Sequence, residues 1–156
     1  MPWKREKVTF SFHRPKKKAY DSVPRKLLWR AVVKANISKP IIKLVRFIYK
    51  SNTCQIKMSS KISGDFRTRK GLLHNCCLSP TMFKIYMDNA LKEWTKKCEK
   101  MGVRLTNEKY IFNLLFVIDQ VVIAQDEEDI EYLMRKLLDA YREWGVLTSI
   151  LIKPNT

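Results

Sequence analysis

No apolar run in this chain approaches the ~20 residues that a membrane span requires, and the opening Met1-Pro2-Trp3-Lys4-Arg5 lacks the apolar core of a secretory signal. Neither a membrane partner nor a secreted destination is expected. The chain reads as intracellular, with nucleus and cytoplasm equally open. Cysteine is sparse: Cys54, Cys76, Cys77 and Cys98 show no CxxC spacing, which argues against a disulfide scaffold and for reduced, partly buried thiols. His13 and His74 supply no zinc-ligand spacing beside them. Internal repeats and low-complexity linkers are missing too. Acid is scarce, with 15 Asp/Glu against 31 Lys/Arg.

That imbalance is unevenly placed. Residues 1 to 50 hold 15 Lys/Arg against 2 acids, residues 51 to 100 hold 10 against 4, and residues 101 to 156 hold 6 against 9. A surface with such an excess attracts polyanions, nucleic acid first, through counterion release. Charge alone leaves nucleic-acid binding and a merely solvated basic face equally open. With 156 residues, 46% hydrophobic and 29% charged, the chain suits one globular domain spanning 1–156.

Along the chain, Val8-Thr9-Phe10-Ser11-Phe12 alternates as a half-buried strand and is stopped by Arg14-Pro15. A helix follows, capped by Ser22 or Asp21 with Pro24 in its first turn and a stripe of Leu27, Leu28, Ala31 and Val32. A second helix has Ser38 as cap, Pro40 in the first turn and Ile41, Ile42, Val45, Ile48 and Tyr49 at helical spacing. Two strands, 54–58 and 66–69, are expected around a Gly64-Asp65 turn, the second presenting Arg67, Arg69 and Lys70. The loop Gly71 to Pro80 opens a long helix with Met82, Phe83, Tyr86, Met87, Ala90, Leu91 and Trp94 on one face. After a short strand at 103–105 comes Leu114 to Ala124, two β-branched runs that read as a hairpin pushing Asp119 out at its tip. Asp126 to Asp129 start a last helix, acids at its positive end, and Gly145 stops it before a strand at 146–152. The order is that of an α+β fold, helices on one face of an antiparallel sheet.

Three ordered segments resemble one family. Lys17-Lys18-Ala19-Tyr20-Asp21-Ser22-Val23-Pro24-Arg25 is similar to the first palm motif of non-LTR retrotransposon (LINE-type) reverse transcriptases. Gly71 to Pro80 with Phe83 resembles the second, and Phe116 to Ala124 the third. The closing Trp144-Gly145 to Lys153 resembles a fourth. Together they are specific where any one would be weak. The resemblance implies a ferredoxin-like polymerase palm, with fingers and thumb missing because the match starts near Met1 and stops at Thr156. It also implies an RNA-directed DNA polymerase fragment, RNA template or RNA/DNA hybrid as partner, and no small-molecule cofactor beyond nucleotide and metal.

The family's chemistry is in-line phosphoryl transfer with two Mg²⁺ ions held by convergent carboxylates. Carried over residue by residue, the first-motif aspartate falls on Pro15, four positions before Ala19. The hairpin's first aspartate falls on Ile118, so only Asp119 survives as a metal-binding acid. Pro15 also lacks a backbone donor and is expected to shorten its strand. One acid cannot cage two ions, which implies a catalytically inactive chain. The resemblance places Tyr20, Asp21, His74, Asn75 and Lys153 around the nucleotide, and Lys16, Lys17, Lys18, Arg67, Arg69 and Lys70 on nucleic acid. His74-Asn75 stand where the family has glutamine-glycine, and Asn is among the residues that tolerate a left-handed backbone. Bland readings stay open beside these: Tyr20 as core, Asp21 as a helix cap, Asp119 as a turn residue. The alternative function is a non-catalytic RNA- or DNA-binding module.

Overall fold

The computed structural model describes residues 9–15, 19–106, 109–116, 119–146 and 148–151. It divides the chain into two compact units, Met1–Ala19 with Met87–Thr156, and Tyr20–Tyr86. Among the described residues no helix is long and apolar enough to cross a membrane.

The larger unit is built on a four-stranded sheet. Its strands are β1 (Thr9–Pro15), β6 (Asn113–Phe116), β7 (Asp119–Ala124) and β8 (Thr148–Leu151), in the order β6-β7-β1-β8 with every pairing antiparallel. β1 and β7 are far apart in sequence yet central neighbours, registered from Thr9↔Ala124 to His13↔Gln120. The β6–β7 hairpin forms as the sequence reading has it, but Asp119 is the first residue of β7, paired with Phe116 in the ladder rather than pushed out of the sheet at the tip. β1 departs from it. The strand runs through Arg14 to Pro15, which still faces Thr148 of β8. A proline at the last position of a strand forfeits one donor at the point where pairing ends, so it does not shorten this strand as expected.

Helix α5 (Glu127–Glu143) lies against β7 and β1. The Asp126 carboxylate caps it by accepting from the Asp129 backbone N–H at 2.8 Å, with three acids in the first turn. Ile130, Leu133, Met134, Leu137 and Tyr141 recur at helical spacing and are buried, and Gly145 ends the helix at φ 64. The Trp94 indole, from the second half of α4 (Ser79–Cys98), donates to the Leu133 carbonyl at 3.0 Å and sits edge-on to Phe112. Burial pushes the Cys98 thiol up, with Lys136 and Lys97 pulling weakly the other way. The short strand at Val103–Arg104 (β4) pairs with Tyr110–Ile111 (β5) in a ribbon the sequence did not announce.

The smaller unit holds α1 (Ala19–Ser22, its first residue belonging to the other unit), α2 (Arg25–Lys34) and α3 (Lys39–Ser51), with β2 (Lys57–Met58), β3 (Lys61–Ile62) and the start of α4. Neither Ser22 nor Asp21 caps α2. Its N-cap is Pro24, whose carbonyl accepts from Leu27 and Leu28. Ser38 occupies the α3 cap position without a side-chain cap bond, and Pro40 sits in the first turn as expected. The expected strands at 54–58 and 66–69 shrink to the two-residue pair β2–β3, which turns at Ser59, and an isolated Cys54↔Phe66 bridge. Every residue from Gln55 to Lys70 is exposed, so no buried face held a longer pairing in register. Arg67, Arg69 and Lys70 therefore stand outside any strand.

Candidate functional site

In the larger unit the residues of interest gather at one end of the sheet. β1 finishes at Pro15 and β7 begins at Asp119, and because the two strands are adjacent and antiparallel, both termini lie at the same sheet end. The half-buried Asp119 is the odd partner in an alternation that buries Gln120, Val122 and Ala124 completely. The next residue anchors the site. The Tyr141 hydroxyl donates to Gln120 Oε1, and Gln120 Nε2 donates to Asn113 Oδ1 at 2.8 Å. This amide ties β6, β7 and α5 together and sets the side on which Asp119 emerges. Sequence reasoning gave Gln120 no role. The available signal was a polar residue at a buried position of a β-branched run. Burial also pushes the Tyr141 phenol well above its ordinary range.

In the smaller unit a second group forms. The Tyr20 ring stacks on Phe83, centroids 4.7 Å apart and planes 22° apart. Asp21 Oδ1 lies 2.5 Å from His74 Nε2, with both side chains well exposed. The loop that carries His74 is held to the α1–α2 turn by backbone bonds from Gly71 N–H to Val23 O and from Leu72 N–H to Tyr20 O, both 2.9 Å. Arg25 reinforces it, donating to Thr68 O at 2.6 Å, to Thr68 Oγ1 at 2.8 Å and to Gly71 O at 3.1 Å. Gly71 has φ 84, and a Cβ there would stand 3.0 Å from the Asp21 Cα and carbonyl oxygen. Asn75 is left-handed at φ 57, a conformation Asn adopts more readily than most residues. Ser79, at the start of α4, donates to Leu73 O at 2.6 Å and closes the loop.

The structure thus brings Tyr20, Asp21 and His74 into one bonded group, with Asn75 next in the chain, and Pro15 and Asp119 to one sheet end. Arg67, Arg69 and Lys70 are exposed beside the Thr68–Gly71 clamp. Ile118, Lys153, Lys16, Lys17 and Lys18 lie outside the described residues.

The model of the reverse transcriptase (RNA-dependent DNA polymerase) family matches residues 16–150. The chain belongs to the reverse transcriptase family. Among solved structures, apo telomerase from Candida tropicalis, truncated from its C-terminal domain, is similar in fold, with a TM-score of 0.69 at 14% sequence identity. The match covers 96% of this chain but only 32% of that one. A reverse transcriptase generally works with Mg²⁺, a hard ion that wants several oxygen ligands. Among the described residues no group of three His, Cys, Asp or Glu side chains could hold a metal, and the described part of the sheet end pairs one carboxylate, Asp119, with a proline. These residues do not fit a two-ion cage. What the described sheet end does present is one half-buried carboxylate, Asp119, next to the hydrogen-bonded Gln120.

Proposed function

We propose that this chain is the palm segment of a non-LTR (LINE-type) retrotransposon reverse transcriptase that no longer polymerises and that engages nucleic acid through its basic surface. The strand order β6-β7-β1-β8, with helices in the β1-to-β6 and β7-to-β8 connections, supports a ferredoxin-like palm. The observation that carries the reading is the meeting of Pro15 and Asp119 at one sheet end, where palm chemistry needs acids from two strands. With proline on one strand and, by the motif alignment, Ile118 ahead of Asp119 on the other, two of three metal-binding acids are replaced. Losing even one ligand removes orders of magnitude in rate, at about 1.4 kcal/mol of barrier per tenfold.

In this reading Tyr20 lies beneath an incoming sugar, stacked on Phe83. The Asp21–His74 pair and Asn75 border the nucleotide with Lys153, while Lys16 to Lys18 with Arg67, Arg69 and Lys70 contact the RNA template or RNA/DNA hybrid. Purified protein assayed on primed RNA template with Mg²⁺ and deoxynucleotides is expected to incorporate nothing above background. Robust metal-dependent synthesis by the unaltered chain would refute inactivity. The nucleic-acid part is tested separately: binding to RNA that weakens steeply with salt is expected, and no binding at low salt overturns it.

A further inference from the structure

We propose that the seam between α2 and α3 is a binding track for a single-stranded polynucleotide, starting in a groove at the α3 N-terminus. This inference rests on the nucleic-acid reading above and names a surface that reading does not contain. Lys39, Lys43, Arg46 and Lys50 are all exposed and follow one another by four, three and four residues, which sets them in a single stripe along α3. At 1.5 Å per residue the stripe is about 16 Å long, with roughly 5–6 Å between successive positions. At its first half a groove of about 500 Å³ opens toward the α2 C-terminus, lined by Lys39, Lys43 and Arg46 together with Val33, Ile37 and Ile42 and the polar Asn36 and Ser38. Cations interleaved with apolar side chains along one groove suit a chain of phosphates with its sugar and base surface.

Four further observations favour that ligand. The unit itself carries little acid: the only Asp or Glu between residues 20 and 86 are Asp21, bonded to His74, and Asp65, which accepts from Gln55 at 2.7 Å. Arg46 is held over the Trp29 ring at 5.3 Å, so its charge is placed rather than free to swing away. The stripe also leads off the helix. Its far end lies by Tyr49, over which Arg25 sits at 5.1 Å, and Arg25 clamps Thr68 between the exposed Arg67 and Arg69. Phe47, 66% exposed, stands next to Arg46 as a ring on which an unpaired base can stack. A duplex offers no such free base face, which points to a single strand.

The test is fluorescence anisotropy of the whole chain with a labelled oligouridine across a salt series. Lys39→Gln/Lys43→Gln/Arg46→Gln is expected to weaken binding about tenfold at low salt and to lower the salt slope by about 2, at about 0.7 per single-strand contact. Lys39→Gln/Lys43→Gln, which leaves Arg46 on Trp29, is expected to show about two thirds of that slope change. Phe47→Ala should weaken binding about tenfold with the slope unchanged. The control Lys57→Gln/Lys61→Gln/Lys84→Gln removes the same charge elsewhere on the unit. An equal fall in the control overturns the track while leaving nucleic-acid binding in place, whereas no binding by the unaltered chain sinks the nucleic-acid reading itself. Capture by phosphatidylserine vesicles that Phe47→Ala abolishes, with oligouridine binding untouched, would assign the face to lipid instead.

Discussion

Asp21 and His74, 53 residues apart in sequence, meet at 2.5 Å on the surface of the smaller unit. The contact is the visible sign of a backbone arrangement, since the same two segments are already joined through Leu72 N–H, Gly71 N–H and the Arg25 clamp. An exposed ion pair contributes about 0–1 kcal/mol. His74→Ala is therefore expected to change stability by less than about 1 kcal/mol in a denaturant titration. Gly71→Ala combines a left-handed backbone with a 3.0 Å approach to Asp21 and should cost about 1–3 kcal/mol. If the two substitutions cost the same, the backbone account of this loop is wrong.

Tyr141→Phe deletes the donor to Gln120 Oε1 and leaves a fully buried amide oxygen short of a partner. The expected loss is about 1–3 kcal/mol. Replacing both partners, Tyr141→Phe with Gln120→Leu, should recover part of it. A double-mutant cycle with no coupling between the two sites would show that the bond does not fix β7.

Alkaline pH should unfold the protein through its buried phenols. Burial raises the folded-state values of Tyr86 and Tyr141 above the ordinary tyrosine value of about 10. The unfolded chain then releases these protons first and binds fewer of them, so stability is complete below about pH 10 and falls as pH rises beyond it. Melting temperatures across that range are expected to drop, and Tyr141→Phe should make the drop shallower. A flat profile to well above pH 10 contradicts the burial of both rings.

Restoring acids should restore a metal site. Pro15→Asp would put a carboxylate on the strand next to the one that Asp119 begins, and Ile118→Asp would add a second at the position preceding Asp119 in the chain. Calorimetry is expected to register Mg²⁺ binding by the double variant that Asp119→Asn then removes. An unchanged affinity in the double variant counts against the assignment of Pro15 and Ile118 to the family's acid positions.

Much of this architecture was legible without coordinates. The stripes of α4 and α5, the Asp126 cap, the Gly145 stop and the β6–β7 hairpin are local, and local periodicity and capping chemistry are printed residue by residue. The family's motifs were legible for the same reason, each being a short run. Periodicity reports which residues share a face, but not what covers that face. Thus Ile41 and Ile48, which share helical spacing with the buried Ile42 and Tyr49, stand 54% and 39% exposed, because the apolar arc of α3 is wider than the part that is covered. The strands expected at 54–58 and 66–69 failed likewise, for want of anything to bury against.

What the sequence determined alone is the basic charge, the long helices with their caps, and a proline at position 15, where the proposed reading looks for a carboxylate. Only the tertiary structure decided that β1 continues through Pro15, that Gln120 is the buried tie between β7 and α5, and that residues 15 and 119 share one end of a sheet. Strand pairing joins segments a hundred residues apart. Its register comes from packing summed over a whole face, and no short stretch of chain carries that information.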